Sequence, residues 1–174
     1  MNATLTRALF VPSLLGEVAT FLVTSRNWWD SIDERLILGA MPFKRHAQRL
    51  HEMGVRGVIN LCVEYRGPIS TYEELGITQL HLPTLDYRPP DERDVFRAID
   101  FIEEWGQGDQ PVYLHCKAGR GRSATVALCW LVKAHRLSVA EAEERLIQSR
   151  PHVNKHLGQR EVVMSFVDQI KQPT

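Results

Sequence analysis

The stretch from Val112 to Lys133 constrains the fold more than any other. A short apolar run bounded by Pro111, Val112–Leu114, leads into the polar, glycine-containing HCKAGRGRS (His115–Ser123). That leads in turn into the strongly apolar Ala124–Lys133. An apolar strand feeding an apolar helix through a tight loop is the repeating unit of an α/β sheet. Its strand reads as hydrophobic throughout because helices cover both faces of the sheet.

The chain on either side agrees. Leu36–Leu38 and Val55–Leu61 read as short apolar strands, with a helix around Arg45–Met53 between them, and Leu80–Leu82 is a further strand. Pro89–Pro90 breaks the chain and Asp91 is placed to cap the next helix. After it, Val95, Phe96, Ile99, Ile102 and Trp105 recur at helical spacing. Ser138 with Glu141 forms a capping box for a helix ending near Ser149, and Gly158–Ile170 reads as a last helix. The expected fold class is therefore α/β: a single domain over residues 27–174 with a largely parallel central sheet flanked by helices. Residues 1–26 form a separate apolar segment. Ala8–Val23 is mostly apolar, broken by Pro12, Gly16 and Glu17, and reads either as an interfacial membrane helix or as a helix capping the core. A secretory signal fits poorly, because the apolar run is interrupted and runs into the domain without a clear small-residue cleavage site.

At 174 residues with 44% hydrophobic content, the chain has the size and composition of one globular domain. Lys+Arg and Asp+Glu both number 21, so the net charge is zero, which argues against bulk nucleic-acid binding. Three cysteines are too few for a disulfide scaffold, and the seven histidines show no metal-ligand spacing, so neither a metal nor another cofactor is expected. No uncharged apolar run is long enough to span a bilayer.

The chemistry concentrates in the loop. Ligands of α/β sheets bind beyond the carboxyl ends of the strands. A loop there that opens a helix presents backbone N–H groups and the positive end of the helix dipole to an anion. Lys117, Arg120 and Arg122 add charge, so the loop reads as a cradle for an oxyanion, most simply phosphate. Cys116 opens it. Taken alone it is a buried structural cysteine, the common fate of a lone Cys. In this setting the amides, the helix end and the guanidinium groups favour the thiolate, which becomes a nucleophile facing the bound phosphoryl group. Arg122, six residues on, returns a planar fork to the same anion. Gly119 and Gly121 permit backbone conformations that a Cβ blocks. Ser123 is placed to donate to the sulfur, and His115 to order the loop. GRGRSAT lacks the Gly-Lys-Ser/Thr ending of a nucleotide-binding P-loop.

The run from His115 to Ser123 matches the signature His-Cys-x-x-Gly-x-x-Arg-Ser/Thr and resembles the cysteine-dependent phosphatases. RALFVPSLL, NWWDSIDERLILGAMPF, GVRGVINLCVEY, LPTLDY and SRPHV…GQREVV are similar to the dual-specificity branch of mitochondrial phosphatidylglycerophosphate phosphatases, over nearly the whole chain. The resemblance implies a dual-specificity phosphatase-like fold and a cysteinyl-phosphate intermediate. It also implies a general acid on a loop, and Asp86, 30 residues before Cys116, fits LPTLDYRPP. Its plain alternative is a turn or cap residue, and Asp91 and Asp94 look like cap and solvent-face groups. Gln159 resembles the residue that positions the attacking water, and otherwise is a solvent-facing helix-start glutamine. Glu64 and Tyr65 match an acidic-aromatic loop that lines the pocket, alongside His115, Lys117, Ala118, Gly119, Arg120 and Gly121. Asn154, Lys155 and His156 depart from the Arg-Pro-Ser expected there.

Lys117 and Arg120 suit a highly charged head group, so the expected substrate is an anionic phospholipid or, failing that, a phosphoprotein. Phosphatidylglycerophosphate carries a monoester and a diester, which the extra cations would serve. Protein tyrosine/serine/threonine or phosphoinositide phosphatase activity and an inactive phospho-binding module are the rivals. Sulfur transfer fits the Arg-Ser ending poorly. Peripheral membrane association through residues 1–26 is expected. The implied site is the mitochondrial inner membrane in a eukaryote, for cardiolipin synthesis, or the cytoplasmic face of the inner membrane in a bacterium. Trp28 and Trp29 suit either an interface or a core, and a Cys62–Cys116 disulfide is a remote alternative.

Overall fold

The computed structural model describes residues 26–171, so the apolar segment at residues 1–26 lies, but for its last residue, outside the described residues. Five strands form one sheet in the order β1-β2-β5-β3-β4. They are β1 (Trp29–Ser31), β2 (Leu36–Gly39), β3 (Gly57–Cys62), β4 (Thr78–Thr84) and β5 (Val112–His115). Only β1 runs antiparallel to its neighbour; the other pairings are parallel. The helices are α1 (Lys44–Glu52), α2 (Ile69–Leu75), α3 (Glu92–Trp105), α4 (Arg122–His135), α5 (Val139–Ser149) and α6 (Glu161–Lys171), with a 3-10 turn at Leu157–Gln159.

Side-chain alternation divides the strands between two faces. Leu36, Leu38, Ile59, Leu61, Val112 and Leu114 join the larger core, with Val95, Ile99 and Ile102 of α3, Ala124 and residues 126–132 of α4, Leu146 of α5, and Val163 and Phe166 of α6. Ile37, Val58 and Tyr113 point the other way and pack with Ala47 and Leu50 of α1 and Tyr72 of α2. Each fully buried Leu, Val or Ile contributes about 1.5–3 kcal/mol to folding, so β5 is anchored from both sides. The loop after it is therefore held at a well-determined point beyond the carboxyl ends of the strands.

The expected strands and helices form within a few residues of their predicted ends. Asp91 caps α3 by accepting from the Asp94 N–H at 2.8 Å. The Ser138–Glu141 capping box forms at α5. Two elements escape the pattern reading. Strand β1 is short, half-exposed and polar at its centre. Helix α2 lasts two turns between Pro68 and Gly76, the latter left-handed at φ 65°. The last helix also differs from expectation. Gly158 packs against Val139, so closely that a Cβ would meet Val139 Cγ1 at 2.5 Å. The chain there makes a 3-10 turn, extends at Arg160 (φ −70°, ψ 135°), and only then starts α6.

Candidate active site

Every backbone carbonyl from Cys116 to Gly121 is engaged by a group outside the cradle. The Cys116 carbonyl meets His115 Nδ1 at 3.2 Å, and the Lys117 carbonyl accepts from the Met41 N–H at 3.1 Å. Arg150 donates from Nη2 to the Ala118 carbonyl (3.1 Å) and from Nε to that of Gly119 (3.0 Å). The Arg120 carbonyl takes the Asn154 N–H at 2.9 Å, and the Gly121 carbonyl takes Thr125 Oγ1 at 2.8 Å. With the carbonyls turned out, the amides of the loop turn in, which is the geometry an oxyanion needs. Gly119 is left-handed (φ 67°) and a Cβ on it would stand 2.5 Å from the Gly39 carbonyl, so no other residue fits there without strain.

Cys116 lies at the centre of this loop, 4% exposed, with Ser123 Oγ donating to its sulfur at 3.2 Å. Burial alone would push the thiol up. Arg122, the Ser123 hydroxyl and the amides of Ser123 and Gly119 more than reverse that, and its pKa comes down to about 7. Arg122 is buried and fixed through Nη1 to the Thr84 carbonyl (2.8 Å), Glu64 Oε2 (3.1 Å) and the Leu61 carbonyl (3.4 Å). The ends of β3 and β4 thus clamp one nitrogen and leave the other free to turn toward the cradle. Among the described residues that nitrogen, Nη2, finds no hydrogen-bond acceptor and meets Asp86 Oδ1 in an ion pair at 3.1 Å. Lys117, also buried, has Nζ 3.8 Å from Asp86 Oδ2. Asp86 belongs to the loop after β4, and Tyr87 beside it is left-handed (φ 64°) and exposed, a costly conformation for a bulky residue. These groups open on a cavity of about 350 Å³ lined by Asp86, Tyr87, Arg88, residues 116–118 and 120–122, Asn154 and Arg160. Among the described residues its walls carry five cationic side chains, Arg88, Lys117, Arg120, Arg122 and Arg160, against the single carboxylate of Asp86.

Residues 36–169 match the family model of the dual specificity phosphatase catalytic domain. The chain belongs to the dual-specificity phosphatases. It is 42% identical over 164 residues to phosphatidylglycerophosphate phosphatase PTPMT2 of Arabidopsis thaliana, covering 92% of this chain and 72% of that protein. It is 33% identical over 180 residues to phosphatidylglycerophosphatase and protein-tyrosine phosphatase 1 of Homo sapiens, covering 98% and 90%. Among solved structures it superposes on PTPMT1 with a TM-score of 0.75 at 34% identity, covering 82% of this chain and 96% of that one. A second structure of PTPMT1, in complex with PI(5)P, aligns equally well at 32% identity, covering 83% and 97%.

Within this dual-specificity fold, Cys116, Arg122, Ser123 and Asp86 meet around one point, with Lys117 beside them. The other expected positions divide. His115 is fully buried beneath the loop, and burial holds its pKa down to about 3, so it supports the loop as a neutral ring. Glu64 does not line the cavity; its side chain, 2% exposed, grips Arg122 from behind. Tyr65 likewise faces away, its hydroxyl donating to the Pro42 carbonyl at 2.8 Å. Asn60 shapes that loop by bonding the Cys62 N–H and the Tyr65 carbonyl. Gln159 is exposed and absent from the cavity wall, because the 3-10 turn rotates it outward and presents Arg160 instead. Trp28 and Trp29 pack on α1 and the sheet: Trp28 tilts against His46 at 4.5 Å, and Trp29 meets Tyr113 edge-on at 6.1 Å. Trp29 is thus half-buried against the smaller core, while Trp28, also half-buried, packs on Phe43 and His46 outside both core clusters. Cys62, Cys116 and Cys129 are all free thiols, so no Cys62–Cys116 disulfide forms here.

Nothing in the sequence pattern assigns these roles to Arg150, Arg160, Thr125 or Asn154. Arg150, directly before Pro151, carries no local signal of burial. Arg160 directly follows Gln159, and only the turn geometry separates the two.

Proposed function

We propose that the chain hydrolyses the phosphomonoester of phosphatidylglycerophosphate to give phosphatidylglycerol. The observation that carries the reading is the thiol of Cys116, brought near neutrality at the floor of a cavity whose wall has five cations and one acid. A dianionic phosphoryl group neutralises such a wall, and the relatives named for this lipid match over almost the whole chain.

In the first step the Cys116 thiolate attacks phosphorus, and the ester P–O bond breaks. Arg122 Nη2 and the inward amides hold the equatorial oxygens, where donors positioned in advance stabilise the developing charge. Asp86 hands its proton to the leaving glycerol oxygen. Its ion pair with Arg122 must open as phosphate arrives, since both address the same nitrogen. In the second step water attacks phosphorus, Asp86 takes its proton, and the P–S bond breaks with the electron pair returning to sulfur. Ser123 Oγ, already on the sulfur, stabilises that thiolate. Gln159 has no part in the step.

The substrate is found in a bilayer. None of the helices among the described residues is long and apolar enough to cross a membrane. We place the enzyme on the membrane that makes the lipid: the mitochondrial inner membrane in a eukaryote, the cytoplasmic face of the inner membrane in a bacterium. The PI(5)P bound to PTPMT1 makes a phosphoinositide the second reading, and the protein-phosphatase rival remains a test arm. Comparing kcat/KM on phosphatidylglycerophosphate, phosphoinositides and phosphopeptides decides. Preference for the first supports the proposal, and preference for a phosphopeptide overturns it. Cys116→Ser must abolish turnover of all three.

A further inference from the structure

Arg160 is a cation with only neutral acceptors. Its Nη1 donates to Thr125 Oγ1 at 2.5 Å and to the Gly121 carbonyl at 3.3 Å, and no carboxylate approaches it among the described residues. Those two bonds fix the plane of the guanidinium and leave Nη2 directed over Gly121. A Cβ on Gly121 would stand 3.9 Å from Arg160 Nη2 and 3.1 Å from Asn154 Nδ2. Gly121 itself has a negative φ (−119°), so no left-handed turn demands a glycine there. What its missing side chain provides is room: two N–H-bearing groups converge above the backbone of the catalytic loop on a hollow that any side chain would fill. Both line the same cavity as Cys116. The monoester cradle is complete without them, since Arg122 and the loop amides already address it.

We propose that Arg160 and Asn154, over Gly121, form a second anion subsite that binds the diester phosphate of the lipid head group while Cys116 attacks the monoester. The inference rests on the lipid reading above and adds the residues that select a two-phosphate substrate. A guanidinium with its plane already set loses little freedom on meeting a phosphate, here through Nη2. Burial disfavours the charge on Arg160 and the Cys116 thiolate favours it, which agrees with a cation held near the reaction centre for an anion to complete.

The test compares the wild type with Arg160→Gln, Arg160→Lys and Asn154→Ala on three substrates in the same detergent micelles. These are short-chain phosphatidylglycerophosphate, phosphatidic acid with the same acyl chains (a monoester without the neighbouring diester), and p-nitrophenyl phosphate. Arg160→Gln should lower the ratio of kcat/KM on phosphatidylglycerophosphate to that on phosphatidic acid about tenfold or more, the loss of one charge-assisted hydrogen bond. The loss should fall mainly on KM. Arg160→Lys should recover part of it, and Asn154→Ala should move the ratio the same way by less. Equal losses on all three substrates, or an unchanged ratio, overturn the subsite and leave the lipid reading standing. A wild type that hydrolyses the aryl phosphate but not phosphatidylglycerophosphate overturns the lipid reading itself, and the subsite with it. Thermal melts of each variant separate misfolding from lost recognition.

Discussion

Arg150 offers a sharp test of how the catalytic loop is held. Its side chain is fully buried and makes four bonds: to the carbonyls of Ala118 and Gly119, to Asp30 Oδ2 at 2.5 Å and to the Asn27 carbonyl at 3.4 Å. Arg150→Met keeps the apolar stem and deletes the guanidinium. It strands a largely buried Asp30 carboxylate, 13% exposed, and orphans two loop carbonyls. Removing one partner of a buried pair costs about 3–5 kcal/mol, and each buried carbonyl left unpaired adds about 1–3 kcal/mol. Relaxation and water entry recover part of this, so a net loss of about 3–5 kcal/mol is expected. That is a large share of a typical domain stability of about 5–15 kcal/mol, but not all of it. Urea denaturation reads the loss. The double variant Asp30→Asn/Arg150→Met should regain stability, because the stranded charge is gone. It should not regain the loop, because the Ala118 and Gly119 carbonyls still lack donors. Freed to rotate, they withdraw the Gly119 amide from the sulfur, so the pH midpoint of Cys116 alkylation by iodoacetamide should rise in both variants. A single variant within about 1 kcal/mol of wild type, with an unmoved alkylation midpoint, would show that Arg150 does not brace the cradle.

Alkylation of the wild type should follow the Cys116 thiolate and rise with pH through a midpoint near 7. Ser123→Ala removes a hydrogen bond that favours the thiolate, so that midpoint should move up and breakdown of the phosphoenzyme should slow, visible as a larger burst. Asp86→Asn should cost roughly 10²–10⁴ in kcat on an alkyl phosphate. The cost should be smaller on p-nitrophenyl phosphate, whose leaving group needs less help from a proton; equal losses on both would remove Asp86 from the acid role. Stability should fall in mild acid through three buried or half-buried histidines. His46, His115 and His152 are held down to about 4, 3 and 4 by burial, against an ordinary 6.5. Below pH 6.5 the unfolded chain takes up protons that the folded one refuses, so this stability is complete above pH 6.5 and drains away as pH falls towards 4. The urea midpoint should drop accordingly between pH 7 and 5, with His115, the most buried, contributing most; a flat midpoint over that range would contradict the burial argument.

The parts of the site that could be read from the sequence are those whose geometry is set locally. An apolar β5, a glycine loop and an apolar α4 leave little choice about where Cys116, Arg122 and Ser123 end up, because strand, loop and helix are contiguous and both faces of the strand must be covered. Asp86 was legible for a related reason: it follows β4 directly, and β4 sits on the same side of β5 as β3. The illegible parts depend on distant segments packing together. Glu64 reads as a pocket residue through its resemblance to an acidic-aromatic loop, yet it is turned under Arg122, in a loop that Asn60 ties through the Cys62 N–H and the Tyr65 carbonyl. Gln159 and Arg160 are adjacent and both polar, and the family resemblance points to the first. Gly158 packs against Val139 of α5 in a 3-10 turn, and it is the second that lines the cavity. A phosphatase loop of this kind is thus specified twice. Its own residues supply the nucleophile and the donors, and buried side chains from far along the chain, Arg150 foremost, turn its carbonyls outward so that those donors face the phosphate. A variant that preserves every residue from His115 to Ser123 but loses Arg150 should therefore keep the signature and lose much of the low thiol pKa that makes the signature work.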